Sequence, residues 1–144
     1  MIKSDYTIVF DGGSLGNPGR GYGSFAVASN GEAANSAAQA SPWQIKRLNF
    51  DGRVTNNEAE YDTLISALET LPETLRAAGK EPGQITVDVR GDSQLVIFQV
   101  TRRWKAHEPR MAERRDRVLV LVKQFKHVSF AHQPRAQSVK ILGH

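Results

Sequence analysis

The chain has 144 residues, no cysteine and a formal net charge of +4. That length fits a single domain over residues 1–144, large enough to bury a core of its own, and the lack of cysteine excludes disulfides and thiolate metal sites. No apolar run approaches a membrane span and the N-terminus lacks a signal-peptide hydrophobic region, so a soluble, cytoplasmic protein is expected.

The charge is unevenly placed. Residues 101–144 hold 11 of the 19 Lys and Arg, only 3 of the 15 acids, and all four histidines. A solvated basic helix would account for this, and so would a polyanionic partner.

In chain order, Tyr6 to Asp11 reads as a strand, rich in β-branched and aromatic residues. A stretch with six glycines follows, "GGSLGNPGRGYG", and Gly21 to Ala28 reads as the second strand. The third strand is "WQIKRLNF", residues 43–50, reached through "NGEAANSAAQASP", a loop or a helical turn. In "TNNEAEYDTLISALETL" the apolar Tyr61, Leu64, Ile65, Leu68 and Leu71 recur at helical spacing, with Thr55 or Asn56 as N-cap. Ile85, Val87 and Val89 alternate as a strand, then Gly91 and Asp92 turn the chain into a short helix. Glu108 to Phe125 carries Met111, Val118, Leu119, Val122 and Phe125 on one helical stripe, and Val128 to His132 is a last short strand. After Pro134 there is room for barely two helical turns. Three antiparallel strands followed by alternating strands and helices point to an α/β fold, a mixed sheet with helices packed on it.

Three carboxylates stand out in this arrangement. Asp11 ends the first strand, Asp92 ends the fourth, and Glu60 lies in the first turns of the long helix. Ligands of open α/β sheets gather at strand carboxyl ends near topological switch points. If the first and fourth strands are neighbours, Asp11 and Asp92 converge and the helix can present Glu60 to them. Carboxylates crowded in this way stay ionised only beside a compensating cation, and hard divalent ions take oxygen ligands. Taken singly, each acid has an ordinary explanation as a turn residue or a helix-dipole partner.

Together, "DGGSLGNPGRGYG", "TNNEAEY", "GDSQLV", "WK" and "FAHQPR" resemble the type 1 ribonuclease H family, in order and spacing, from about Tyr6 to Leu142. The resemblance implies an RNase H-like fold, a five-stranded mixed sheet whose first three strands are antiparallel, flanked by helices. It implies a monomeric endonuclease for the RNA strand of RNA/DNA hybrids, using two Mg²⁺ or Mn²⁺ ions and leaving 3′-hydroxyl and 5′-phosphate ends. By motif position, Asp11, Glu60 and Asp92 match three of the family's four metal-binding acids. Glu60 rather than Glu58 is the last residue of the Asn-Asn-x-x-Glu pattern. The resemblance also implies that the glycine-rich segment, with Gly12 and Gly13, brings backbone to the hybrid's minor groove, where 2′-hydroxyls mark the RNA. Asn17, Asn56, Asn57 and Gln94 would meet sugars and base edges; Thr55, Trp104 and Lys105 would hold the DNA strand.

Two departures follow. The family's last motif carries Asn, Ala and Asp where this chain has Ser138, Ile141 and Leu142, and residues 117–144 contain no acid at all. The fourth ligand is therefore missing. Imidazole suits Mn²⁺ better than Mg²⁺, so the expectation is Mn²⁺-favoured activity that recruits His144 or His132. There is also no basic insertion after "WK"; Arg102, Arg103, Lys105, Arg110, Arg114 and Arg115 are expected to supply part of that charge. An alternative keeps the fold and the grip on hybrids without useful cleavage. A dinucleotide fingerprint in "GNPGRGYG" is ruled out because it leads into a strand-like run, not a helix.

Overall fold

The computed structural model describes residues 4–30 and 43–143. Five strands, β1 (Tyr6–Leu15), β2 (Gly19–Ser29), β3 (Gln44–Val54), β4 (Thr86–Gly91) and β5 (His127–His132), form one sheet in the order β3-β2-β1-β4-β5. β1 pairs antiparallel with β2 and β2 with β3, whereas β4 runs parallel to both β1 and β5. The helices are α1 (Asn56–Ala77), α2 (Gln94–Val100), α3 (Pro109–Val122) and α4 (Arg135–Leu142), with a 3₁₀ turn at Pro82–Gln84 before β4. Among the described residues, no helix is long and apolar enough to cross a membrane.

The element order matches the expectation, while several ends move. β1 runs on to Leu15 and β2 begins at Gly19, so the glycine-rich segment is mostly strand; only Gly16–Pro18 is turn. Gly16, at φ 109°, and Asn17, at φ 34°, supply the left-handed backbone that this turn requires. β3 extends past residue 50 to Val54, and Glu108 caps α3 instead of entering it. The connection over residues 31–42 lies outside the described residues.

Strand alternation sorts the side chains onto two faces. Ile8 and Phe10 of β1, Phe25 of β2, and Val87 and Val89 of β4 pack under α1, α2 and α3 in the main core. Tyr61, Leu64, Leu68 and Leu71 are the apolar stripe of α1 in that core, with Ile65 at its margin. From α3 and the turn after it come Met111, Val118, Leu121 and Phe125. The residues of opposite parity, Val9 and Ala26, meet Leu142 and Ile141 of α4 and Trp43 in a smaller cluster.

Local chemistry starts α1 where it does. Thr55 Oγ1 accepts from Glu58 N (3.1 Å) while Thr55 N donates to Glu58 Oε1 (3.1 Å), a closed capping box. Such a cap stabilises by about 1 kcal/mol, and it fixes the frame in which the following acids project.

Candidate active site

The sheet places two of the three acids without help from side chains. Phe10 of β1 pairs in register with Gly91, the last residue of β4, so Asp11 and Asp92 follow side by side where the parallel pairing ends; β1 itself runs on to Leu15, so Asp11 lies within its strand and does not end it as expected. β1 is also the strand whose neighbours run antiparallel on one side and parallel on the other, the topological switch of this sheet. Gly12 then presses against α1: a Cβ built there would lie 2.6 Å from the Ala59 carbonyl oxygen and 2.8 Å from Glu60 N. This contact seats Glu60 beside the strand end.

The electrostatics of Glu60 report the result. Its carboxyl is pushed up to about 7, by burial first, and also by the charges of Asp11 and Asp92. A hydrogen bond with Ser93 and the charge of Arg135 act the other way. Glu60 Oε2 is buried without a hydrogen-bond partner. Arg135 Nη1 stands 3.8 Å from Asp92 Oδ2. The three acids thus share one electrostatic site. Among the described residues, however, no three His, Asp or Glu side chains are gathered into a ready-made ligand set. Hard oxygen donors, one buried oxygen lacking a partner and a local excess of negative charge fit a divalent ion of the Mg²⁺ or Mn²⁺ kind.

Glu58, the competing acid of the same motif, is committed elsewhere. It closes the capping box and pairs with Arg114 at 3.2 Å and Arg110 at 3.6 Å. Ser93 and Arg135 are the site residues that motif position left out. Ser93 is also the N-cap of α2, accepting from Val96 N at 3.2 Å; a Ser directly after a strand-end Asp was its only signal. Arg135 was visible only as part of "HQPR".

One rim of the site is the β1–β2 hairpin tip, tied to the start of α1. Asn56 N donates to Asn17 Oδ1 (2.9 Å), and Ser14 N donates to Asn56 Oδ1 (2.8 Å). Asn57 and Gln94 are exposed in the first turns of α1 and α2, and Thr55 is the α1 N-cap. Gly12 sits at the α1 contact, and a Cβ on Gly13 would meet the hydroxyl end of Tyr22 at 2.5 Å. Gly12 and Gly13 thus both lie in close internal contacts, within a segment that is strand and not the expected loop.

On the other side, Trp104 is 46% exposed and meets Phe98 edge-on, with ring centroids 5.0 Å apart. Arg103 covers the Phe98 ring at 4.5 Å, and Arg102 and Lys105 are exposed alongside. Phe98, Arg103, Phe130 and His132 line a shallow groove of about 320 Å³ here. Of the remaining expected cations, Arg114 binds Asp62 at 2.8 Å across to α1, whereas Arg115 meets its exposed chain neighbour Asp116, at 2.9 Å.

The C-terminal segment contributes no acid. Leu142 is fully buried with Val9 and Ala26, and Ser138 accepts from Gln133 Nε2 at 3.1 Å. His132 is exposed at the end of β5, its ring tilted against Phe98 at 6.4 Å, and the charged groups acting on Glu60 do not include it. His144 lies outside the described residues.

Comparison with known proteins agrees with this geometry. A family model described as reverse transcriptase-like matches residues 38–140. The chain is 37% identical over 128 residues to ribonuclease HI of Halobacterium salinarum, covering 88% of this chain and 55% of that protein. It therefore spans little more than half the length of this curated relative. The crystal structure of RNase H1 from Halobacterium salinarum superposes with a TM-score of 0.77 at 32% identity, over 96% of this chain and 91% of that one. LC11-RNase H1, solved in complex with an RNA/DNA hybrid, superposes at 0.76 with 26% identity, over 94% and 90% of the two chains. With strand order, motif order and sequence identity in agreement over nearly the whole described chain, the protein belongs to the ribonuclease H family.

Proposed function

We propose that this chain is a divalent-metal-dependent endonuclease that hydrolyses the RNA strand of RNA/DNA hybrids, leaving 3′-hydroxyl and 5′-phosphate ends. The observation that carries the reading is the buried, unpartnered oxygen of Glu60 in the combined field of Asp11 and Asp92. Asp11, Glu60 and Asp92 would hold a pair of ions. When bound, such ions supply a nucleophile from water and Lewis acidity at the phosphodiester. Ser93 orients the Glu60 carboxylate, and Arg135 offsets part of the charge on Asp92. The substrate class is supported by the hybrid bound to LC11-RNase H1. Asn17, Asn56, Asn57 and Gln94, on the hairpin and helix starts, suit sugar and base edges on the RNA side. Thr55, Trp104 and Lys105 suit the DNA strand. Thr, Asn and Gln side chains and a half-exposed Trp match the mixture of hydrogen bonding and stacking by which such strands are held.

A labelled hybrid incubated with Mg²⁺ or Mn²⁺ tests this, with Asp11→Asn as the inactive control. Products are expected with both ions, and the missing fourth acid should make the Mn²⁺ rate about tenfold the higher at saturating metal. The second reading, a hybrid-binding module, is favoured by Leu142, which stands at the family's fourth-acid position and is part of the core. Hybrid binding with no products beyond the Asp11→Asn background would select it.

Salt dependence checks the nucleic-acid side separately. With Arg102, Arg103 and Lys105 as the cations on the substrate, the slope of log K against log salt should be about −2 to −3. Changing all three to Ala should remove about 2 of that slope; an unchanged slope would rule out this face.

A further inference from the structure

From the contacts between α1 and α3, we infer that Arg114 is a positioning residue for Glu60, bracing the first turns of α1 from the side opposite the carboxylate. Arg114 Nε donates to Asp62 Oδ1 (2.8 Å) and Nη2 to Asp62 Oδ2 (3.4 Å), while Nη1 reaches Glu58 Oε2 at 3.2 Å. The same guanidinium donates to the Arg110 carbonyl (3.3 Å), which locks it to its own helix. Glu58 is the more deeply placed partner, with its side chain 5% exposed and its other duty in the capping box. One planar cation from α3 therefore holds two carboxylates one turn apart on α1.

Glu60 lies midway between those two residues, about 200° around the helix from each. Ser93 holds the carboxyl from α2 but Oε2 has no hydrogen bond, so where it meets that support depends on how the first turns of α1 are rolled. A roll of about 10° at a side-chain radius of about 5–6 Å moves the carboxylate by about 1 Å. Misplacements of that size in a catalytic constellation can cost about a hundredfold. Substrate contact is the other use for an arginine here. Arg114 has exchanged it for two internal acids, and its side chain is 22% exposed.

Two variants test this without leaving a buried charge alone. Arg114→Lys keeps the cation and loses the fork. Asp62→Asn removes one arm of the clasp at a residue whose side chain is 24% exposed. Each is measured where it is fully folded by circular dichroism. The expected result is a kcat lower by about tenfold or more, with the hybrid Kd in EDTA within about twofold of the parent and the same salt slope. Calorimetry of Mn²⁺ binding to the nucleic-acid-free protein should show affinity weakened by about tenfold. A hybrid Kd in EDTA weakened by about tenfold or more in Arg114→Lys, with Asp62→Asn at the parent level, would make Arg114 a nucleic-acid contact and overturn the inference. So would kcat and Mn²⁺ affinity both at the parent level. The kinetic arm rests on the hydrolase reading. If the parent chain cleaves no hybrid with either ion, that reading fails, and the Mn²⁺ calorimetry still decides the role of Arg114.

Discussion

Glu60→Gln should abolish hybrid cleavage and, in the absence of divalent ions, make the protein more stable at alkaline pH. The carboxyl is raised from its ordinary value near 4.5 to about 7, chiefly because burial disfavours its charge. A raised acid holds its proton in the folded state over a range where the unfolded chain has lost it. Stability is therefore greatest below about 4.5 and falls as pH rises toward 7. Above that point the ionised carboxylate costs the metal-free fold on the order of 3 kcal/mol. Gln has the same shape, no charge to desolvate, and an amide that can still meet Ser93. In EDTA at pH 8 its Tm should exceed the parent's by roughly 5–10 °C, and the gap should close by pH 4.5. Divalent ions should raise the parent's Tm and leave the variant's nearly unmoved, because only a bound ion repays the buried charge. Activity should fall by about a hundredfold or more, since even groups outside a metal's ligand shell cost up to that when removed. A variant no more stable than the parent at pH 8 in EDTA would contradict the account of Glu60 as a metal-ready ligand.

Part of this proposed site can be read from sequence because an acid that closes an apolar run is a local feature. Asp11 and Asp92 each follow an apolar run, and their meeting needed only the pairing of the first and fourth strands, which β1 and β4 make. The choice of Glu60 over Glu58 rests on motif position, and it is consistent with a Glu58 engaged by the helix cap and by Arg114. Other features were not legible because they depend on partners far apart in the chain. Arg114 and Arg115 look like Arg102 and Arg103 in sequence, yet the first pair face acids and the second pair are exposed. The glycines of the first hairpin looked like a substrate-facing loop. They lie mostly in strand, and Gly12 is where that strand meets the backbone of a helix 47 positions onward, at Ala59. Leu142 read simply as a lost acid, whereas the structure gives it a positive role, closing the small core on the second face of the sheet. Residues at one site can thus come from periodic, local rules, while their supports come from packing that no local pattern encodes.

Gly12→Ala should damage folding and catalysis together, unlike substitution at Gly13 or Gly52. The added methyl would meet the carbonyl carbon and oxygen of Ala59 at 2.7 and 2.6 Å and Glu60 N at 2.8 Å. All three atoms are helix backbone, so no side chain can swing aside, and β1 and α1 must separate. Overpacking of this kind costs about 1–3 kcal/mol. The separation falls between Asp11 and Glu60, so Mn²⁺ affinity and kcat should drop by about tenfold or more even among folded molecules. Two controls divide the effect. In Gly13→Ala the obstacle is the ring end of Tyr22, itself 40% exposed, which can move away, so stability and activity should stay near the parent's. At Gly52 nothing lies within 4 Å but φ is 85°, so Ala there should cost about 1–2 kcal/mol of backbone strain with normal activity per folded molecule. Thermal melts in EDTA together with Mn²⁺ calorimetry on the three variants separate these outcomes. A Gly12→Ala protein that loses stability yet binds Mn²⁺ like the parent would mean that the strand–helix contact holds the fold without setting the site.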